Sequence, residues 1–267
     1  MLKKTLKMVL LGSLMGSSIA LPAIADVNVE KGTTIATEWD KRDEGFEDSN
    51  ATLKMVLENR HGEKSTRELR IKTLEIPDMT EGDKSLTIFK KPRDIKGTAF
   101  LSFAHIKDPD DQWLYLPALK RVKRISSKNK SGPFVGSEFS YEDMSAQELA
   151  KYTYKWLKDE PCGDMTCFVL EQRPTYENSG YTKMVVWYDQ AEYRRQKIDF
   201  YDRKDALLKS LTFTEYQQYL GKYWRAHNMQ MVNHQTGKKT HLTFADYDFK
   251  TGLKDRDFTK NKLKKVR

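Results

Sequence analysis

Apolar and polar residues alternate with a period of two along most of this chain. Ala51, Leu53, Met55 and Leu57 share one parity, the pattern pauses at His61 and Gly62, and it resumes at Leu69 and Ile71. Because successive strand side chains point to opposite faces, this predicts a hairpin. Similar runs recur at 85–89, 98–103, 112–116, 152–157, 167–172, 184–188, 196–201, 207–216, 224–233 and 239–249, divided by Gly, Asp, Asn and Pro clusters. Strands recurring this often predict a mainly β protein, built as a large antiparallel meander or an open barrel.

Two stretches break the alternation. Between Val29 and Gly45, Ile35, Ala36 and Trp39 share one side of a helical pattern that Gly45 stops. From 126 to 150 the chain is rich in Ser, Lys, Gly and Pro and then turns helical, with Ser145 as a candidate N-cap and Glu148 completing a capping box. A long irregular insertion inside a compact sheet is more often functional than ornamental. With no internal repeat and no linker, residues 26–267 are expected to form one domain.

The apolar density peaks around this insertion, at Phe100, Leu101, Phe103, Trp113, Tyr115, Phe134, Val135, Phe139 and Tyr141. Trp113 and Tyr115 share one strand parity, Leu114 and Leu116 the other, so one pair must face away from the main core unless something covers it. The 126–150 segment is the expected cover, and a movable one, over a two-sided apolar space suited to a lipid tail.

The first 25 residues predict export. Lys3, Lys4 and Lys7 precede an apolar stretch, then Pro22 and the small-x-small triplet Ala23-Ile24-Ala25, the order of a cleaved secretory leader. Gly12, Ser13, Gly16, Ser17 and Ser18 interrupt the run, which is too short for a spanning helix of roughly 20 apolar residues. Cleavage after Ala25 would deliver a protein to the periplasm. It would not be an integral membrane protein, since no second apolar run follows.

The formal charge is +9, and removing the three leader lysines leaves +6. For an exported protein that favours anionic lipid headgroups or acidic protein surfaces over nucleic acid. The two cysteines, Cys162 and Cys167, bracket a turn-like Gly163-Asp164. Four intervening residues make neither a C-x-x-C redox motif nor a full ligand set, so a structural disulfide is expected in an oxidising compartment. Asp108, Asp110 and Asp111 lack EF-hand spacing and read as a Pro-Asp turn. No metal motif surrounds the five histidines, no nucleophile elbow or phosphate-binding glycine loop is present, and neither a cofactor nor an enzyme is expected.

The blocks KKPRDIKGTAFLSF at 90–103 and DQWLYLPALKRVKRISSKNKSGPFVGSEFSYEDM at 111–144 resemble the outer membrane lipoprotein-sorting protein family, a LolA-like branch. Pro92, Asp94, Gly97, Phe100 and Leu101 match its first block; Trp113, Tyr115, Leu116, Pro117, Arg121, Arg124 and Ile125 its second; Gly136, Ser137, Phe139, Tyr141, Asp143 and Met144 its third. Glu138 stands where Asp is expected. The resemblance implies an unclosed antiparallel β-barrel, a half-barrel with short helices as a lid, and carriage of a lipid or a lipoprotein acyl chain through the periplasm. Relatives of this branch accompany membrane exporters of hydrophobic compounds, so an inner-membrane exporter is an implied partner.

The basic run Lys120, Arg121, Lys123, Arg124, Lys128 and Lys130 has two readings. It is either a solvated edge strand whose charges block edge-to-edge pairing, or Arg121 and Arg124 hold the lid acids Glu138, Glu142 or Asp143, or an anionic headgroup. Three function classes follow: a carrier with an apolar cavity, a non-carrying adaptor docked on an exporter, and an envelope-lipid hydrolase with a histidine base.

Overall fold

In a computed structural model, described here for residues 27–77 and 81–265, the chain forms one 13-stranded antiparallel sheet that does not close into a barrel. The proposed leader at 1–25 lies outside the described residues. Helix α1 (Val27–Asp43) comes first. The strands β1 (Asp48–Glu58), β2 (Lys64–Leu74), β3 (Glu81–Lys91), β4 (Ala99–His105), β5 (Asp111–Leu116) and β6 (Arg121–Ile125) then meander to one edge. Next come β7 (Tyr152–Cys162), β8 (Met165–Pro174), β9 (Lys183–Asp189), β10 (Arg195–Tyr201), β11 (Leu207–Tyr219), β12 (Tyr223–Asn233) and β13 (Lys239–Phe249), which meander back from the opposite edge. A short helix α2 (Lys260–Leu263) ends the fold. The halves join where β1 pairs β13, with Leu53 opposite Phe244 and Met55 opposite Leu242.

Period-two patterning explains the main core. Leu53 and Met55 of β1, Leu69 of β2, Phe89 of β3, Phe100 of β4 and Leu114 of β5 are buried on one side together with Ile198, Phe200, Leu211 and Phe213 from the other half. Ile35 and Ala36 of α1 complete it, as the helical pattern predicts. Gly32 lets α1 lie directly on β7: a Cβ there would sit 2.6 Å from the Trp156 backbone nitrogen. Gly45, at φ +90°, supplies the left-handed turn after the helix.

The outer face of β3–β5 carries its own core, Leu86, Ile88, Ala99, Leu101 and Trp113, covered by Phe258 and Leu263 from the C-terminal tail. Between β7 and β8, Cys162 and Cys167 form a disulfide with Cα atoms 5.8 Å apart.

Candidate functional site

Strands β6 and β7 are consecutive in sequence yet lie at opposite edges of the sheet. Residues 126–151 must therefore cross the whole half-barrel, and they run over its concave face in short turns at Ser127–Asn129, Phe134–Gly136, Glu142–Met144 and Leu149–Lys151. The capping box expected at Ser145 is not made. Ser145 Oγ instead accepts from Gln112 Nε2 at 2.8 Å and lies 3.3 Å from Ser102 Oγ, so it caps no helix.

This cover is pinned rather than loose. Phe134 is fully buried, its ring 5.2 Å from Phe100, 5.6 Å from Tyr141 and 5.9 Å from Phe89. Arg67 of β2 donates to the Val135 carbonyl, and Gln112 of β5 to the Tyr141 carbonyl at 2.8 Å. From the other half, Asn233 donates to Glu138 Oε2 at 2.7 Å, and Thr240 Oγ1 accepts from the Glu138 amide at 3.0 Å. Lys209 of β11 donates to the Glu138 carbonyl at 2.9 Å and to Asp143 Oδ2 at 2.6 Å, with the Lys209 and Asp143 side chains only 4% and 7% exposed. Tyr181 adds a 2.7 Å hydrogen bond to Asp143 Oδ1. Packing and polar contacts thus tie the segment to both halves of the sheet.

The crossing leaves a cavity of about 1750 Å³ on its β7–β12 side. Its wall combines Trp39 of α1, Phe139 of the crossing and Tyr154 of β7 with Met184, Ile198, Phe200, Leu211, Phe213 and Met229 from β9–β12. Residues 43–48, 74–77 and 81–83 also line it. Small-ligand pockets run to about 300–1,000 Å³, so this space suits a long or branched apolar group. Three carboxyls on its rim are pushed upward by burial. Asp83 reaches about 7, helped by Glu148 and Glu75; Asp40 reaches about 6, helped by Glu44; Glu148 moves in the same direction against the pull of Lys151. Asp83 and Asp40 therefore take up protons near neutral pH.

The residues singled out from sequence separate into two places. Phe100, Phe134, Val135, Phe139 and Tyr141 belong to the concave core, and of these Phe139 lines the cavity. Leu101, Phe103, Trp113 and Tyr115 point the opposite way, beneath Phe258 and Leu263. The parity argument held that one apolar pair needs a cover, but the C-terminal tail covers Trp113 and Tyr115 while the crossing covers Leu114 and Leu116. Glu138 and Asp143 are held by Asn233, Thr240, Tyr181 and Lys209 rather than by Arg121 or Arg124. Both arginines lie on the exposed edge strand β6, and Arg124, 69% exposed, pairs with Asp111. Asp110 is taken by Lys151, which accounts for that acidic turn. Sequence reading missed Trp39, Met184, Arg195, Ile198, Phe200, Leu211 and Phe213 as cavity residues. Their same-parity spacing on β10 and β11 was visible, but the face they shared with α1 was not. Among the described residues, no histidine lines the cavity.

An open antiparallel half-barrel, crossed on its concave face by a strap over a largely apolar space, is a LolA-like fold. Solved structures bear this out. A domain from Vibrio parahaemolyticus, provisionally described as an outer membrane lipoprotein-sorting protein domain, is 61% identical, covers 89% of this chain and 100% of its own, and has a TM-score of 0.86. A DUF1329 family protein from Desulfovibrio piger is 29% identical over 88% of this chain and 99% of its own, with a TM-score of 0.84. A LolA superfamily protein from Nitrosomonas europaea shares the fold at 20% identity and a TM-score of 0.69, covering 86% of this chain and 98% of its own. A family model described as uncharacterized protein matches residues 81–265, and the chain belongs to this family, DUF1329. Comparison with curated proteins gives no match.

Proposed function

We propose that this protein is a periplasmic carrier that shelters the apolar tail of an amphiphile, a lipid or a lipoprotein acyl chain, inside the half-barrel. The observation that carries this reading is the cavity of about 1750 Å³ walled by apolar side chains from α1, the crossing and β9–β12. A filled concave core would instead have favoured an adaptor with nothing to carry. The LolA-like fold, the kinship with a domain named for lipoprotein sorting and the leader-like pattern at 1–25 support the same assignment.

The chemistry is burial without covalent change. At about 0.8 kcal/mol per methylene, about ten buried methylenes supply about 8 kcal/mol, which the costs of association reduce to a retained yet exchangeable ligand. Binding of a fluorescent fatty-acid probe tests this. Leu211→Trp, which fills the cavity wall, is expected to weaken the probe about tenfold or more, while Tyr115→Leu on the outer face leaves it unchanged. Unaltered binding by Leu211→Trp would place the ligand elsewhere and overturn the assignment.

A further inference from the structure

The cavity is apolar along β9–β12, while many charged side chains, mostly acidic, line the rest of it; among its cations, Arg195 has a distinct setting. Arg195 opens β10, three residues before the lining Ile198, and itself lines the cavity. Its guanidinium lies 3.8 Å from the Trp39 ring centroid, with Tyr188 at 5.9 Å. One Nη donates to Gln147 Oε1 at 2.6 Å; Gln147 donates onward to Gln172 at 2.8 Å, and Gln172 to the Tyr188 hydroxyl at 2.7 Å. A relay of neutral amides and aromatic rings therefore fixes the guanidinium plane without neutralising it.

The neighbouring residue shows what is missing. Arg194 pairs with the buried Asp189 at 2.9 Å, whereas no carboxylate among the described residues comes within ion-pair distance of Arg195, and its buried Nε has no hydrogen-bond partner. Asp40, on the same rim, feels the arginine's field without pairing with it. Of the other cavity cations, Lys151 is on Asp110, Lys222 on the Glu44 carbonyl and Lys130 over the Tyr176 ring, while Lys41 is exposed to solvent. A buried guanidinium nitrogen left without a partner is costly, and a planar fork fits carboxylate or phosphate oxygens in two places at once.

Resting on the carrier reading above, we infer that Arg195 is a headgroup anchor: the cavity takes amphiphiles ending in an oxyanion, carboxylate or phosphate, with the anion on Arg195 and the tail along Ile198, Phe200 and Leu211. Lipid carboxylates and phosphomonoesters share this chemistry.

The probes are dodecanoate, dodecyl phosphate and methyl dodecanoate, equal in chain length, titrated by calorimetry at pH 8 into the parent protein and Arg195→Met. The parent is expected to bind at least one anion about tenfold or more tightly than the ester, the scale of charge-assisted hydrogen bonds. The better anion identifies the headgroup source. Arg195→Met should lose the preference for anions over the ester. Parent affinities for ester and both anions within about twofold, or a preference that survives in Arg195→Met, would overturn the anchor and leave the carrier standing. Binding of none of the three probes removes the carrier reading and the anchor with it. The parent comparison alone decides the matter if the variant does not fold.

Discussion

Replacing Lys209 with Met tests whether the crossing segment is structural core or a loose lid. The Lys209 ammonium sits 2.6 Å from Asp143 Oδ2 and 2.9 Å from the Glu138 carbonyl, and the two side chains are 4% and 7% exposed. Methionine keeps the length of the stem and removes the charge. The Asp143 carboxylate is left with the Tyr181 hydroxyl and the Ser140 amide, both at 2.7 Å, as its partners in a dry site. Breaking one side of a buried pair costs about 3–5 kcal/mol, because the remaining charge is uncompensated. Total stability of a domain is only about 5–15 kcal/mol, so the urea midpoint should fall sharply. The double variant Lys209→Met with Asp143→Leu removes both charges and should recover most of the loss, since a buried pair contributes little against apolar replacements. Unfolding followed by tryptophan fluorescence gives the free energies, and hydrogen exchange over 134–144 locates the loosened region. A loss under about 1 kcal/mol, typical of exposed ion pairs, together with rapid exchange of 134–144 in the parent, would refute the view that the segment is pinned.

Three further outcomes are expected. Gly32→Ala raises helix propensity, yet its Cβ would meet the backbone of Lys155 and Trp156 at 2.6–2.9 Å, so the melting temperature should drop by an amount reflecting about 1–3 kcal/mol of overpacking; an unchanged melting temperature would show that α1 is not seated on β7. Asp83→Asn removes a carboxyl that burial moves from 3.8 to about 7. A carboxyl raised on folding binds its proton more tightly in the native state, so the parent should gain stability as pH falls from about 8 toward 5; the variant should lack that gain and exceed the parent at pH 8 by up to about 4 kcal/mol, and denaturation at the two pH values checks both. Phe258→Ala, stripping the outer cover from Trp113, should cost about 3–5 kcal/mol in urea unfolding while probe binding by the folded fraction stays as in the parent.

Strand positions were legible because alternation survives in each strand taken alone. Every run expected from sequence falls on one of the observed strands to within a residue, although β6 was not among those runs, and the helix expected from Val29 to Gly45 spans Val27–Asp43. Parity, however, says which residues share a face and not which face looks inward. Trp113 and Leu114 were equally good candidates for the interior until the tail at Phe258 and Leu263 was seen to occupy one side. The conspicuous Arg121 and Arg124 stayed on an edge strand, while the cation that holds Asp143 is Lys209, 66 residues away and on a strand of the other half. Arg195 was hidden for the same reason: its setting depends on Trp39 and Gln147, brought together by α1 and the crossing. Ser145 looked like a helix cap because Glu148 follows three residues later, but Gln112 and Ser102 from β5 and β4 claim its hydroxyl.

The content of the cavity can be read directly. Protein recovered from the bacterial periplasm without detergent and examined by native mass spectrometry, with solvent extraction of the same sample, should carry one amphiphile per chain, lost on extraction and absent from Leu211→Trp. A single unliganded mass, with no lipid in the extract and no mass shift after incubation with dodecanoate or dodecyl phosphate, would contradict a carrier role for this half-barrel.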